Sequence, residues 1–143
     1  MDFNNLLFIY GSMKSGHSNH KRLLRHRAKF ISEISTVDGF NLIYYTGPNF
    51  GIACLIKSLT GTVKGELYEI SDIQPINQFE GVPYVYSLSE LGLWDGTREI
   101  QAFGYLYSSP EDFNNHNSIL IPEGNYRESI DYRQLLKMKN TPY

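Results

Sequence analysis

The segment between Gly11 and Ser18 has the residue types and the spacing of an anion-binding loop. It follows a continuous apolar run, Leu6–Tyr10, which is typical of a buried β-strand, and it precedes a segment with helical spacing that extends to Arg27. A loop in this position points unpaired backbone N–H groups and the positive end of a helix dipole toward a ligand. We therefore expect ligand binding and chemistry at this segment.

Two other kinds of site are compatible with part of this loop. The spacing of Gly11, Gly16 and Ser18 resembles that of a nucleotide-binding P-loop, but His17 stands where that motif requires a lysine. The chain also lacks the long alternation of strands and helices of that class. His17 and His20 have a spacing that metal ligands can have, yet no third ligand lies near them in the sequence. We therefore expect no nucleotide, no metal and no other cofactor.

Glu80 is the carboxylate that is best placed for proton transfer. It ends a predicted short helix, Asp72–Glu80, next to the apolar side chain of Phe79. Apolar surroundings raise the pKa of a carboxyl group toward the range useful for general acid–base catalysis. The alternative is a residue that faces solvent at a helix end. Glu66 and Glu69 are rival carboxylates, but strand alternation points them to opposite faces, so at most one of them faces the interior.

The elements that must position these residues are mostly strands. Two helices are predicted, over 18–27 and 72–80, and Pro83 is expected to end the second one. The polar tail from Ser108 predicts a loop. Many short strands with only two helices indicate an α+β fold on a twisted sheet, and the length suits a single domain over residues 1–143. The predicted strands are Leu6–Tyr10, Ala28–Val37, Asn41–Tyr45, Ile52–Lys57, Thr62–Ile70, Tyr84–Leu91 and Arg98–Tyr107.

Composition excludes several classes of protein. The apolar share of 41% and the charged share of 20% are those of an ordinary globular protein. No apolar run approaches the roughly 18 residues of a membrane helix, and the chain starts without a signal-peptide pattern, so we expect a cytoplasmic protein with no membrane partner. Cys54 is the single cysteine, which rules out an intrachain disulfide, and its apolar neighbours favour an inert core thiol.

Basic residues are concentrated between positions 14 and 29, although the net charge of the chain is only −2. This basic segment is either a solvated helix face or a positive field that attracts an anionic substrate. Nucleic-acid binding is disfavoured, because no aromatic residues for base stacking alternate with these charges. The lysines and arginines of the basic segment are Lys14, Lys21, Arg22, Arg25, Arg27 and Lys29.

Four motifs follow one another in a fixed order over nearly the whole chain. They are FIYGSMKSG at 8–16 with Asn19 and His20 after it, VKGELYEI at 63–70, INQFE at 76–80 and YLYSS at 105–109. Each motif is only moderately specific by itself. In this order and spacing, the chain resembles the gamma-glutamylcyclotransferase-like family, and most of all its gamma-glutamylamine cyclotransferase branch.

The resemblance implies a fold, an activity and a set of site residues. The family fold is α+β, a small mixed β-barrel flanked by short helices. Family members cleave a small gamma-glutamyl amide by attack of its own α-amine on the γ-carbonyl, which gives 5-oxoproline and a free amine and needs no cofactor. Carried over to this sequence, Tyr10, Gly11, Ser12 and Met13 hold the glutamyl unit through backbone N–H groups, and Glu80 is the catalytic acid–base.

Three departures from the family pattern lie close to the expected site. Met13 replaces a leucine of similar volume, Asn77 replaces an acidic residue three positions before Glu80, and Leu88 replaces an arginine. They leave the loop and the acid–base group in place. They also keep a second hypothesis open, a non-catalytic family member that binds a small molecule or a protein. No motif specifies the leaving amine.

Overall fold

Eight β-strands and three α-helices form the part of the chain that the computed structural model describes, residues 5–47 and 50–140. The strands are β1 (Leu6–Ile9), β2 (Lys29–Thr36), β3 (Phe40–Thr46), β4 (Gly51–Lys57), β5 (Lys64–Glu69), β6 (Tyr86–Trp94), β7 (Glu99–Tyr107) and β8 (Ser118–Leu120). The helices are α1 (His20–Arg25), α2 (Gln74–Glu80) and α3 (Tyr132–Asn140). All seven predicted strands are present, with slightly shifted ends.

Five of the strands close into a small barrel. β1 pairs antiparallel with β5, β5 with β2, β2 with β6, and β6 with β7. A parallel pairing of Leu7 with Phe103 joins β7 back to β1. β4, β3 and β8 continue the sheet outward from β7, beginning with the parallel pairing of Leu55 and Leu106. The predicted α+β class, a small mixed β-barrel flanked by short helices, is confirmed.

Alternation along β1 sends its side chains into two apolar layers. Phe8 and Tyr10 belong to a first layer, together with alternate residues of the other barrel strands. Leu7 and Ile9 belong to a second layer, together with the buried residues of α1 and α2. Because both faces of β1 are buried, the strand appears in the sequence as an uninterrupted apolar run.

Gly65 allows β1 and β5 to approach each other closely. A Cβ atom at this position would lie 2.4 Å from the carbonyl oxygen of Ile9 and 2.6 Å from the ring of Phe8. Gly104 differs, since its Cβ atom would lie 2.5 Å from Cδ1 of Leu91, the flexible end of a side chain that can shift. Interiors are packed too densely to absorb an overlap with backbone atoms, so a side chain at Gly65 would push β1 and β5 apart.

The first helix is shorter than its pattern predicts. Residues 14–19 form tight turns held by backbone hydrogen bonds, so α1 begins only after Asn19. It ends before Arg27, which has a left-handed conformation with φ of 60°. The prediction of a helix over 18–27 is therefore wrong at both ends. Donors for an anion must come from the loop after β1 rather than from a helix N-terminus.

The second helix ends at Glu80 as predicted but begins after Asp72. The carboxylate of Asp72 accepts a 3.0 Å hydrogen bond from the Gln74 N–H at the first residue of α2. Gly81 follows the helix in a left-handed conformation, with φ of 67°, and its N–H donates back to the last turn. The expectation that Pro83 ends the helix is wrong, because Gly81 already does so.

The prediction that the tail after Ser108 is a loop is also wrong. The tail contains β8, which pairs with β3, and α3. At the start of α3 the Asp131 carboxylate accepts a 3.0 Å hydrogen bond from the Gln134 N–H, as helix-capping residues do. Only Tyr132 and Leu136 of this helix are buried. Its apolar stripe is therefore too narrow to stand out among polar neighbours.

All described strands belong to one sheet. Across residues 5–47 and 50–140, no helix has the length and apolar character needed to cross a membrane. The single-domain organisation expected for residues 1–143 stays a prediction.

Candidate active site

One cavity brings together all the site residues that the sequence predicts. Its volume is about 370 Å³. Tyr10, Gly11, Ser12 and Met13 line it from the end of β1, and Glu80 lines it from the end of α2. The ends of β1 and α2 meet here because both elements pack into the second apolar layer.

Hydrogen bonds fix the loop after β1 through its carbonyl groups. The Asn19 N–H donates to Ser12 O at 2.9 Å, and the Asn19 side-chain amide donates to Ser12 Oγ at 2.8 Å. His20 Nδ1 lies 2.9 Å from the carbonyl oxygen of Met13. None of the hydrogen bonds formed within residues 5–47 and 50–140 uses the N–H of Gly11, Ser12 or Met13 as its donor. These three amides therefore remain available to a ligand in the cavity.

The two histidines considered as metal ligands contact carbonyl groups of the loop. His20 contacts Met13, and His17 Nδ1 lies 3.1 Å from the carbonyl oxygen of Ser15. The described part of the chain contains no group of three or more His, Cys, Asp or Glu side chains that could hold a metal ion. Both rings thus have a structural task at the loop.

Glu66 fastens the far end of the loop. Its carboxylate accepts a 2.7 Å hydrogen bond from the Ser15 N–H and a 2.8 Å hydrogen bond from the Tyr68 hydroxyl. Glu66 is buried, whereas Glu69 on the other face of β5 is exposed. This confirms that at most one of the two rival carboxylates faces the interior. The Ser15 N–H already donates to the Glu66 carboxylate, so it is not available to a ligand.

Lys14 links the loop to the segment that follows β8. Its ammonium group donates to Asn125 Oδ1 at 2.9 Å and to the Tyr126 carbonyl at 2.7 Å. The side chain is buried, and burial lowers the pKa of the ammonium group. Lys14 therefore does not belong to the solvated face predicted for the basic segment. None of the basic residues of that segment lines the cavity.

Glu80 carries a carboxyl group that is partly withdrawn from water. Within the described residues, no hydrogen bond or ion pair involves its carboxylate oxygens. Burial raises its pKa to about 7, from an ordinary value of 4.5, because the charged form loses hydration. Such a group gives up and takes back a proton readily near neutral pH.

Three tyrosines line the cavity together with Glu80, and none of their hydroxyl groups donates to its carboxylate. The Tyr10 hydroxyl donates to the Tyr105 carbonyl at 2.7 Å, and the Tyr86 hydroxyl donates to the Ala53 carbonyl at 2.7 Å. Burial, with a smaller contribution from the charge of Glu80, raises the pKa of the Tyr10, Tyr86 and Tyr105 phenols. These phenols stay protonated, whereas Glu80 changes its protonation near neutral pH.

Two departures from the family pattern have structural roles. Asn77 Oδ1 accepts a 2.7 Å hydrogen bond from the Tyr105 hydroxyl, so an amide serves where family members carry an acid. Leu88 packs against the second apolar layer, where an arginine would need a partner. Neither residue lines the cavity. The third departure, Met13, is buried and lines it.

Cys54 is fully buried. Burial raises the pKa of its thiol far above neutral pH, and a protonated thiol is a poor nucleophile. These properties agree with the predicted inert core thiol.

Sequence reasoning missed one wall of the cavity. Tyr126 and Glu128 line it from the segment between β8 and α3. The Glu128 carboxylate accepts two 2.6 Å hydrogen bonds, from the N–H and from the hydroxyl of Ser18. No motif marks this segment, and it lies in the tail that was predicted to be a loop. The contacts of Lys14 and Ser18 with it form only in the folded chain.

The sequence of this barrel and its cavity matches that of a known protein family. The sequence model of the family described as gamma-glutamyl cyclotransferase, AIG2-like, matches residues 7–128. The chain belongs to this family, and the predicted resemblance is confirmed. The matched range begins in β1 and ends at Glu128, so it contains every residue of the cavity discussed above.

Known relatives agree with this assignment. The chain is 29% identical to mouse gamma-glutamylaminecyclotransferase in an alignment of 112 residues, gaps included, that covers 69% of this chain and 75% of the mouse protein. It is 31% identical to a Methanocaldococcus jannaschii protein provisionally named a gamma-glutamylcyclotransferase, over 89% of this chain and 97% of that one. The crystal structure of a mouse AIG2-like protein matches with a TM-score of 0.66 and 26% identity, over 89% of this chain and 99% of that chain. These names support gamma-glutamylcyclotransferase-like activity.

Proposed function

We propose that this chain cleaves a small gamma-glutamyl amide by intramolecular acyl transfer and releases 5-oxoproline and an amine. The observation that carries the proposal is the position of Glu80. Its carboxyl group, with a pKa of about 7, lines the same cavity as Tyr10, Gly11, Ser12 and Met13. Family membership over residues 7–128 supports the type of reaction.

Glu80 is the proton carrier in this proposal. The α-ammonium group of the substrate must lose a proton before its nitrogen can attack, and the Glu80 carboxylate accepts that proton. The nitrogen then forms a bond to the γ-carbonyl carbon, and the bond from that carbon to the leaving nitrogen breaks. Glu80 returns the proton to the leaving nitrogen, so the carboxylate is regenerated. The second proton, which the attacking nitrogen loses as it becomes the lactam N–H, passes to the released amine, which leaves as an ammonium ion. A pKa near the working pH favours both transfers.

The loop after β1 holds the glutamyl unit. The N–H groups of Gly11, Ser12 and Met13 bind the substrate α-carboxylate or the negative charge that develops on the γ-carbonyl oxygen. A preorganised donor at such an oxygen typically contributes about a hundred- to a thousandfold in rate. The loop is rigid enough for this task, because Asn19 and His20 hold its carbonyl groups.

Release of 5-oxoproline tests the proposal directly. The protein is incubated with γ-glutamyl-ε-lysine and with γ-glutamyl amides of alkylamines and amino acids. Glu80→Gln should lower kcat at least about 100-fold, since it removes the proton acceptor but keeps the shape of the side chain. Glu90→Gln is the matched control, because Glu90 is exposed on β6 and does not line the cavity.

Absence of product from every amide would contradict the proposal and would favour the non-catalytic binding hypothesis. Equal activity of Glu80→Gln and the unchanged chain would show that product forms without this carboxylate.

A further inference from the structure

The segment 125–128 forms a preorganised wall of the cavity. Lys14 Nζ donates to Asn125 Oδ1 and to the Tyr126 carbonyl, at 2.9 and 2.7 Å. The ring of Tyr126 stacks on that of Tyr132, with the centroids 5.5 Å apart and the planes 17° from parallel. These contacts hold the wall in place in the free protein. Binding a substrate against it therefore costs little free energy for ordering the segment.

Glu128 is the charged residue of this wall. Its Oε1 accepts the hydrogen bond from the Ser18 N–H, and its Oε2 accepts the one from the Ser18 hydroxyl. A carboxylate has about four lone-pair positions, so two remain for a ligand. The side chain is exposed where it lines the cavity. Ser18 thus orients the carboxylate without using up its capacity to accept hydrogen bonds.

The charges of the cavity have one sign. Among the described residues that line it, Glu80 and Glu128 are the charged ones, and no lysine, arginine or histidine is present. An anionic leaving group would meet a carboxylate without a compensating cation, whereas a cationic one would pair with it. The Arg22 guanidinium lies over the ring of Phe79, 4.1 Å from its centroid, but Arg22 does not itself line the cavity.

We infer that Glu128 is a specificity-determining residue that receives a second, free ammonium group on the leaving amine. The preferred substrates are then γ-glutamyl amides of diamines, rather than those of simple alkylamines or of amino acids. The inference rests on the proposed function, since the diamine is the product that the acyl transfer releases. Glu80 returns a proton to the leaving nitrogen, and Glu128 recognises the ammonium group at the other end of the same diamine.

Three amides of equal chain length test this inference. They are the γ-glutamyl amides of 1,5-diaminopentane, of pentylamine and of 5-aminopentanoate, whose far ends are cationic, neutral and anionic. The cationic amide should exceed the neutral one about tenfold in kcat/KM, as a charge-assisted hydrogen bond permits. Glu128→Gln should reduce this ratio to about one, and Glu128→Lys should shift the preference to the anionic amide.

Two control variants separate charge recognition from support of the wall. Glu123→Gln removes a carboxylate of the same chain segment that does not line the cavity. Ser18→Ala removes the hydroxyl that orients Glu128 but keeps the carboxylate. Both should keep a preference for the cationic amide, whereas a purely structural role of Glu128 predicts no change of the ratio in any variant.

The outcomes distinguish the inference from the proposed function. Release of 5-oxoproline without a cation preference, or with a preference that persists in Glu128→Gln, overturns the inference and leaves the proposed function standing. If γ-glutamyl-ε-lysine gives 5-oxoproline but none of the three amides does, the inference is overturned and the proposed function stands. If no amide gives 5-oxoproline, γ-glutamyl-ε-lysine included, the proposed function is overturned and the inference falls with it.

Discussion

The hydroxyl of Tyr105 donates a 2.7 Å hydrogen bond to Asn77 Oδ1, one helical turn before Glu80 on α2. Residues three apart on a helix are neighbours on its surface, so this bond places a neutral acceptor beside the carboxyl group. Burial therefore remains the cause that raises the pKa of Glu80 to about 7. Two predictions about pH follow from this arrangement, and a third concerns stability.

The rate of 5-oxoproline release should fall as the pH drops below about 7. The deprotonated carboxylate of Glu80 is the proposed base, and its protonated fraction increases below a pKa of about 7. A profile of kcat/KM from about pH 5 to pH 9 checks this. The acidic limb should disappear from the residual activity of Glu80→Gln, and an unchanged limb in that variant would assign it to another group.

Asn77→Asp should move the acidic limb of this profile to higher pH by roughly half a unit to one unit. The new carboxylate repels the negative charge of Glu80 and so raises its pKa further. Gln78→Glu is the control, because position 78 is exposed on the same helix and water screens the charge of the new carboxylate. An equal shift in both variants would contradict a specific interaction with Glu80.

Glu80→Gln should stabilise the folded chain more at pH 8 than at pH 5. The folded-state pKa of about 7 lies above the ordinary value of 4.5, so the folded chain binds this proton more tightly than the unfolded chain. The wild-type side chain therefore loses stability as the pH rises through 7, and glutamine does not. We expect a difference of about 1–2 kcal/mol in the free energy of unfolding, after allowance for partial exposure. Urea unfolding at both pH values measures it, with Glu90→Gln as the control at an exposed carboxylate that does not line the cavity.

Gly65→Ala should lower the free energy of unfolding by about 1–3 kcal/mol or more. The new Cβ atom would lie 2.4 Å from the Ile9 carbonyl oxygen and would separate β1 from β5. Gly11→Ala is the matched control, because its Cβ atom would lie at an ordinary 3.6 Å from that of Ala53. Urea unfolding compares the two variants. Equal losses would contradict the close approach at Gly65.

Lys14→Met should loosen the wall formed by segment 125–128. It removes the two hydrogen bonds to Asn125 and Tyr126 and leaves their oxygen atoms without this donor, which typically costs about 1–3 kcal/mol. Amide hydrogen exchange at residues 126–128 should become faster. The exposed Lys21 offers the control Lys21→Met, and equal exchange rates in the two variants would contradict the role of Lys14.

The sequence alone predicts the first strand, the loop that follows it and the family of the protein. The apolar run at β1 predicts a buried strand, and the glycine-containing loop after it predicts a site. Glu80 stands at a helix end beside apolar residues, which is compatible with a raised pKa and with a residue that faces solvent, and the family resemblance favours the catalytic role. The order of the motifs then predicts the family and the barrel. These signals are local, because each depends on residues that are neighbours along the chain. The cytoplasmic location and the absence of a nucleic-acid partner stay predictions.

Tertiary structure alone decided the far wall of the cavity. Tyr126 and Glu128 carry no motif and lie within the polar tail, so nothing local marks them as parts of a site. They reach the loop after β1 because Lys14 and Ser18 bind their segment across more than a hundred residues of sequence. Strand pairing and packing bring distant segments together, and these long-range contacts decide which side chains line the same cavity.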